Sequence, residues 1–210
     1  MTSAPRYKLA IFDFDGTLAD SLAWVIGILN DVAETHRFRK VTPDEIETLR
    51  GLDSRAVIKH FGVSPWRLPL IANDMRKRGA GADIPLFADT PRLLDRFTKA
   101  GVTMAIVSSN AEATIRRVLG PSAGAISHYA CGASLFGKAA KFEAVLRATG
   151  VAPADAVGIG DETRDVDAAK ATGIASAAVT WGYARRPALE AARPDFIFDT
   201  ADALIGGLLA

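Results

Sequence analysis

The chain has 210 residues, of which 49% are hydrophobic, a composition typical of folded globular proteins and not of disordered ones. Its 25 basic and 24 acidic side chains nearly cancel, and no long run of one sign indicates a surface for nucleic acid or membrane. Cys131 is the only cysteine, which excludes an internal disulfide and favours a reducing compartment. Because no signal-peptide pattern or membrane-length apolar stretch is present, we expect a cytoplasmic protein; its oligomeric state is not indicated.

The first element is an apolar run at residues 9–12, typical of a buried strand, and it leads directly into an acidic motif that ends at Thr17. Asp13 and Asp15 are two residues apart, so their carboxylates point to the same side of the strand end. At about 5 Å and an effective dielectric near 20 they repel by roughly 3 kcal/mol, which favours a cation or a proton beside them. The motif therefore indicates a catalytic site, with an exposed acidic turn as the alternative. An EF-hand calcium loop is excluded because the twelfth position is Trp24.

Residues 18–89 show helical patterns and no strand. Apolar residues at three- and four-residue spacing predict one stripe on the first helix: Leu22, Val25, Ile26, Leu29, Val32 and Ala33. Further helix starts are marked by prolines in first turns, at Pro43, Pro65 and Pro91.

From residue 101 onward strands alternate with helices. Strands are predicted at 102–107, 126–130, 156–159, 174–179 and 196–198, and helices at 111–119, 139–149, 162–172 and the C-terminus. This alternation predicts an α/β fold with a parallel sheet and helices on both faces. We expect a core domain of residues 1–17 and 90–210, interrupted by a helical domain of residues 18–89.

Polar clusters follow two of the later strands, at the strand ends where ligands bind in such sheets. Ser108, Ser109 and Asn110 combine hydroxyls with free N–H groups and predict a phosphate site, with a simple helix cap as the alternative. Asp161 and Asp165 lie one helical turn apart and, with the first acidic motif, suit a hard cation such as magnesium. The alternative for this second cluster is a set of acids that stabilise a helix N-terminus.

A lysine before the helix at 139–149 would balance these acids and attract a phosphate. Lys138 is one candidate and Lys141 the other, and a solvated surface lysine is the alternative for either.

Taken together, the acidic motif, Ser108, the lysine and the Asp161–Asp165 pair resemble the haloacid dehalogenase-like superfamily, and within it the phosphoglycolate phosphatase-like branch. The resemblance implies a Rossmann-like core with a small inserted, all-helical cap. The proline-containing pattern usual after the family's lysine is absent here, and Lys138 is favoured over Lys141 because its distance along the chain to Asp161 is nearer that of the family.

The resemblance also implies a role for each matching residue. Asp13 would be the nucleophile and Asp15 the general acid and base. Thr17, Ser108 and Lys138 would bind the phosphoryl group. Ser109 and Asn110, which follow Ser108, would belong to the same phosphate site. Magnesium would be held by Asp13, the backbone carbonyl of Asp15, Asp161 and Asp165.

The implied activity is magnesium-dependent hydrolysis of a small phosphorylated metabolite, a phosphate monoester, through an aspartyl-phosphate. A sugar-phosphate mutase of the β-phosphoglucomutase type is the alternative, because it shares the core motifs. A dehalogenase is disfavoured by Asp15, which that branch replaces. In the cap, Arg50 and Arg55 resemble substrate-contact residues, with surface arginines as the alternative.

Overall fold

The computed structural model describes residues 5–132 and 137–209, and its centre is a parallel six-stranded sheet. The strands are β1 (Leu9–Phe12), β2 (Thr103–Val107), β3 (His128–Ala130), β4 (Ala156–Gly160), β5 (Ala175–Val179) and β6 (Phe196–Phe198). Their order is β3-β2-β1-β4-β5-β6, so the chain leaves β1 in one direction and later returns to its other side at β4. The ends of β1 and β4 therefore flank the switch point where open parallel sheets bind ligands.

Ten helices lie within the described ranges. They are α1 (Leu22–Thr35), α2 (Pro43–Arg50), α3 (Ser54–His60), α4 (Leu68–Gly79), α5 (Thr90–Lys99), α6 (Glu112–Leu119), α7 (Lys138–Thr149), α8 (Thr163–Ala171), α9 (Arg186–Ala192) and α10 (Ala201–Leu209). Short 3-10 turns precede α4, β3 and β4. None of the helices described here is both long and apolar enough to cross a membrane.

Helices cover both faces of the sheet, as the alternation along the chain predicts. Side chains of a strand point alternately to opposite faces, and β1 divides its apolar residues accordingly. Phe12 belongs to the hydrophobic cluster that includes α5, with its ring 5.4 Å from that of Phe97. Ile11 belongs to the cluster on the opposite face, together with Phe142 of α7. All four residues of β1 are buried, so the acidic motif after it starts from a rigid base.

The four helices α1–α4 lie between β1 and α5, where the sequence predicts a helical cap. Within this described segment the only β pairing consists of isolated bridges from Ala19 to Asp15 and to Leu86. Leu18 and Ala19 are fully buried in the core cluster, so the two ends of the insertion meet on the core. The domain boundary at residues 17 and 18 remains a prediction.

The predicted elements differ from the structure in two informative places. The sequence analysis predicts no helix between β5 and β6, yet α9 connects them; its seven residues are too few to show a helical period. The apolar stripe of α1 is buried only at Val32 and Ala33, whereas its first four members are half-buried. Boundaries otherwise shift by one or two residues, and Pro65 begins a 3-10 turn before α4.

Candidate active site

Asp13 is the first residue after β1 and lies at the switch point of the sheet. Its backbone N–H donates to the carbonyl of Ile159 at 2.8 Å, which ties it to the end of β4. Its Oδ1 accepts a hydrogen bond from the N–H of Phe14 at 2.8 Å. Its Oδ2 is buried and faces the ammonium of Lys138 at 2.7 Å. One oxygen is therefore held by the backbone and the other is available for chemistry.

Asp13, Asp161 and Asp165 form one buried cluster. Each offers a carboxylate oxygen, and these oxygens lie within 4.8 Å of one another. Burial and the charges of Glu162 and the other two acids raise the pKa of Asp161 well above its ordinary value. Burial likewise raises the pKa of Asp165 to about 6, although Lys138 opposes that shift. The carboxylates repel one another, and a cation between them would relieve the repulsion.

The donor set of this cluster fits a hard divalent cation. Magnesium prefers carboxylate and carbonyl oxygens, and the cluster offers three buried carboxylates. The side chain of Asp15 is not part of this cluster, and a metal contact through its backbone carbonyl remains a prediction.

Asp15 faces the second strand instead. Its Oδ2 accepts a hydrogen bond from the side-chain amide of Asn110 at 2.7 Å, so the loop that follows β2 positions it. Burial, followed by the negative charge of Asp13, raises the pKa of Asp15 to about 6. A carboxyl group with such a pKa exchanges protons readily near neutral pH.

Ser108 and Ser109 line a small pocket with Asp13 and Lys138, directly beyond β2. Ser108 is buried, and its Oγ accepts a hydrogen bond from the N–H of Asn110 at 3.1 Å. Helix α6 begins at Glu112 with Ala111 as its cap, one residue later than predicted, so residues 108–110 lie in the loop between β2 and α6.

The two candidate lysines have different environments. Lys138 is the first residue of α7 and forms ion pairs with Asp13 and Asp165. Burial alone would lower the pKa of Lys138, but these two carboxylates outweigh it and raise the pKa. Lys141 donates to the carbonyls of Ser108 and Gly132 at 2.7 and 2.6 Å. Lys138 therefore faces the carboxylates, while Lys141 braces the backbone. Residues 135 and 136, which precede Lys138 in the predicted loop, lie outside the described residues.

Thr17 contacts Asp161 and is not among the residues that line the small pocket. Its hydroxyl donates to Oδ1 of Asp161 at 2.7 Å. A contact with a phosphoryl group, as predicted for it, requires this hydroxyl to turn away from Asp161.

A loop after β5 holds Asp161 from the other side. The N–H of Tyr183 donates to Oδ2 of Asp161 at 2.7 Å, and the Tyr183 hydroxyl pairs with Ser21 at 2.7 Å. A Cβ at Gly182 would lie 2.3 Å from Cβ of Asp161, so only glycine permits this approach. Gly16 is equally constrained, with φ +75° and a Cβ that would lie 2.2 Å from Oδ2 of Asp161. The sequence feature that could have indicated this contact is a glycine, Gly182, between the aromatic residues Trp181 and Tyr183.

Arg164 is a second residue that the sequence analysis passed over. It lies in the first turn of α8, lines the small pocket beside Asp13, and forms an ion pair with Glu162. Its Nε is buried and makes no hydrogen bond to any described residue. The sequence feature that could have indicated a role for Arg164 is its position within the acidic motif that ends at Asp165.

The two cap arginines are placed differently. Arg50 donates through Nε and Nη2 to the carbonyls of Tyr183 and Gly182, both at 3.0 Å, so it links the cap to the loop that holds Asp161. Arg55 is exposed and lines a cavity of about 680 Å³ between α3 and the core, with Lys138 and Arg164 on the opposite wall. Arg55 therefore lies at an open cavity, whereas Arg50 is engaged by backbone carbonyls of the loop after β5. Substrate binding by either arginine remains a prediction.

The sequence also matches a model of a known family. Residues 10–179 match the family described as haloacid dehalogenase-like hydrolase. The chain belongs to this family. A phosphoglycolate phosphatase from Synechococcus elongatus is 32% identical over 200 residues, covering 93% of this chain and 94% of that protein. One from Agrobacterium fabrum is 29% identical, covering 99% and 95%.

A solved haloacid dehalogenase-like hydrolase from Streptococcus pneumoniae has the same fold. It aligns with a TM-score of 0.78 at 20% identity, over 96% of this chain and 98% of that one. The predicted Rossmann-like core of the haloacid dehalogenase-like family is thereby confirmed, and the chain is an enzyme of the hydrolase class.

Proposed function

We propose that this haloacid dehalogenase-like hydrolase is a cytoplasmic, magnesium-dependent phosphatase that cleaves the phosphate monoester of a small metabolite through an aspartyl-phosphate on Asp13. The observation that carries the proposal is the buried carboxylate of Asp13 at the switch point of the sheet, with its Oδ2 atom 2.7 Å from the Lys138 ammonium. The similarity to proteins named phosphoglycolate phosphatases supports it.

The chemistry divides into two steps. In the first, Oδ2 of Asp13 bonds to phosphorus while the bond from phosphorus to the ester oxygen breaks, and Asp15 gives its proton to the leaving alcohol. In the second, water attacks the same phosphorus, gives a proton to Asp15, and releases inorganic phosphate and the Asp13 carboxylate. The raised pKa of Asp15 suits it to both roles.

Charge stabilisation comes from the surrounding residues. Lys138, Ser108 and Ser109 line the small pocket beside Asp13 and are placed to bind the phosphoryl oxygens, with Asn110 orienting Asp15. Asp13, Asp161, Asp165 and the backbone carbonyl of Asp15 would hold Mg²⁺. Bound there, the ion would offset the acids and polarise the phosphoryl group.

Replacing the proposed nucleophile tests this mechanism directly. We expect Asp13→Asn to abolish both phosphate release and covalent labelling, because an amide cannot form the acyl phosphate. The measurements are phosphate release across a panel of phosphorylated metabolites with Mg²⁺, and mass spectrometry of acid-quenched protein. Asp167→Asn, an exposed change of equal charge on α8, is the matched control. Substantial turnover by Asp13→Asn would refute the assignment.

The same panel separates hydrolysis from phosphoryl isomerisation. A phosphatase releases phosphate from simple monoesters with no added activator, whereas a sugar-phosphate mutase requires a bisphosphate and conserves the phosphoryl group. We expect release from simple monoesters.

A further inference from the structure

A second cavity, of about 260 Å³, lies between the cap and the core, and we call it the cap cleft. Helices α1, α2 and α3 form its cap side, and residues 162–164 and 183–184 form its core side. The cap side is almost entirely apolar: Leu22, Val25, Ile26, Leu29, Ile46, Leu49, Leu52, Val57, Ile58 and Phe61.

Most of these ten apolar side chains are not fully buried: eight are half-buried, Leu52 is exposed, and Leu49 is buried. None of the ten belongs to the clusters of buried residues or to the residues packed against them. Protein interiors leave few voids larger than a water molecule, and an apolar cavity of about 150 Å³ is already large enough to bind benzene. The first half of the α1 stripe is therefore directed at a space of ligand size, which explains why it is only half-buried.

Arg164 connects the cap cleft to the proposed phosphoryl site. It lines both the cleft and the small pocket that contains Asp13, Ser108 and Lys138. A molecule with a phosphoryl group against Asp13 and a body in the cleft would thus pass the guanidinium, whose buried Nε–H donates to no acceptor in the described part of the chain. The arrangement is complementary to an anionic head joined to an apolar body.

We propose that the cap cleft binds the leaving-group side of the substrate, and that this enzyme prefers phosphate monoesters of small apolar alcohols. The proposal rests on the proposed phosphatase function. A carboxylate in the cleft would lose its hydration among apolar side chains, and the two cations that line the cleft, Arg50 and Arg164, already form ion pairs with Glu47 and Glu162. An apolar group gains by leaving water, and the volume limits it to a short chain or a single ring.

A series of n-alkyl phosphates tests the preference. Their leaving alkoxides are nearly equal in basicity, so differences in kcat/KM report contact with the apolar chain. We expect an increase of about fourfold per methylene, hence about 60-fold from methyl to butyl phosphate. Chains too long for the cleft should gain nothing more. Equal kcat/KM along the series, or 2-phosphoglycolate exceeding butyl phosphate tenfold, would overturn the proposal.

A filled cleft provides the matched variant. We expect Val25→Phe to lower the butyl-to-methyl ratio of kcat/KM at least tenfold, because the larger ring occupies the space of the alkyl chain. Ala23→Phe places the same ring on the exposed side of α1, outside the cleft, and should leave the ratio unchanged. Equal ratios in both variants and in the wild type would contradict the assignment.

Binding without turnover separates the two proposals. Calorimetry with butylphosphonate and methylphosphonate, in the presence of Mg²⁺, should show tighter binding of the butyl compound to the wild type and loss of that difference in Val25→Phe. This result would support the cleft even if no ester were hydrolysed, in which case the phosphatase function alone fails. Equal affinities alongside normal hydrolysis would refute the cleft alone. A dimer in sedimentation that Val25→Phe dissociates would assign the cleft to a second copy and overturn the proposal.

Discussion

Single residues in this site are distinguished by which atoms their polar groups contact. Lys138 and Lys141 are one helical turn apart on α7, yet one ammonium pairs with carboxylates and the other with backbone carbonyls. A cation beside the nucleophile stabilises charge that develops on the phosphoryl group, whereas a cation on carbonyls holds Ser108 in place. Replacing Lys138 should therefore chiefly lower activity, whereas replacing Lys141 should chiefly lower stability.

Methionine at each lysine position tests this difference. We expect Lys138→Met to lower kcat by about 10²–10³-fold, the loss typical of one stabilising donor. Lys141→Met should chiefly reduce the free energy of unfolding, by about 1–3 kcal/mol, because two buried carbonyls lose their partner. Steady-state kinetics and urea unfolding on both variants provide the comparison. A larger kcat loss in Lys141→Met, with unchanged stability, would reverse the two roles.

Helix α9, which connects β5 to β6, is the element that the sequence patterns do not predict. A polar contact between Ser176 and Asp195 joins the two ends of this connection. Asp195, just before β6, accepts hydrogen bonds through Oδ2 from the hydroxyl and the N–H of Ser176 at 2.7 and 2.8 Å. These bonds hold the pKa of Asp195 below its ordinary value. The contact therefore aligns two neighbouring strands around α9.

Removing the hydroxyl should show a defined pH dependence. We expect Ser176→Ala to lower the free energy of unfolding by about 1 kcal/mol at pH 7. Because the folded-state pKa of Asp195 is depressed, this stability is present above the unfolded-state pKa of about 3.9 and is lost as pH falls through the folded value. Urea unfolding from pH 7 down to about pH 3 measures the difference, with Asp195→Asn as the control. A difference that stays constant to the lowest pH would exclude a role for the Asp195 charge.

Across the whole molecule, the parallel sheet brings together acids that are far apart in the chain. Asp13 follows β1 and Asp161 follows β4, and the two strands are adjacent because the chain returns to β1 after building β2 and β3. Arg50 and the loop at 182–183 join the cap to this same edge. Binding of a cation to the acidic cluster should therefore stabilise the folded molecule as a whole.

Thermal unfolding with and without the metal measures this effect. At a concentration of about 100 times its dissociation constant, Mg²⁺ should raise the free energy of unfolding by about 2.7 kcal/mol. This corresponds to a rise in Tm of roughly 5–10 °C for a chain of this size. Asp161→Asn should abolish the shift because it removes one ligand, and Asp167→Asn should retain it. Chelation with EDTA should return the wild type to its metal-free Tm. An identical shift in both variants would place the metal elsewhere.

Local patterns in the sequence determined the elements and the chemistry of the motifs. Apolar runs and helical periods depend on neighbouring residues, so all six strands and the acidic motifs could be located without a structure. The tertiary structure decided which of these groups meet. It set Oδ2 of Asp13 against the Lys138 ammonium, separated the roles of Lys138 and Lys141, and brought Tyr183 onto Asp161. Such contacts join residues distant in the chain, and they depend on strand order and close packing, which no local pattern contains.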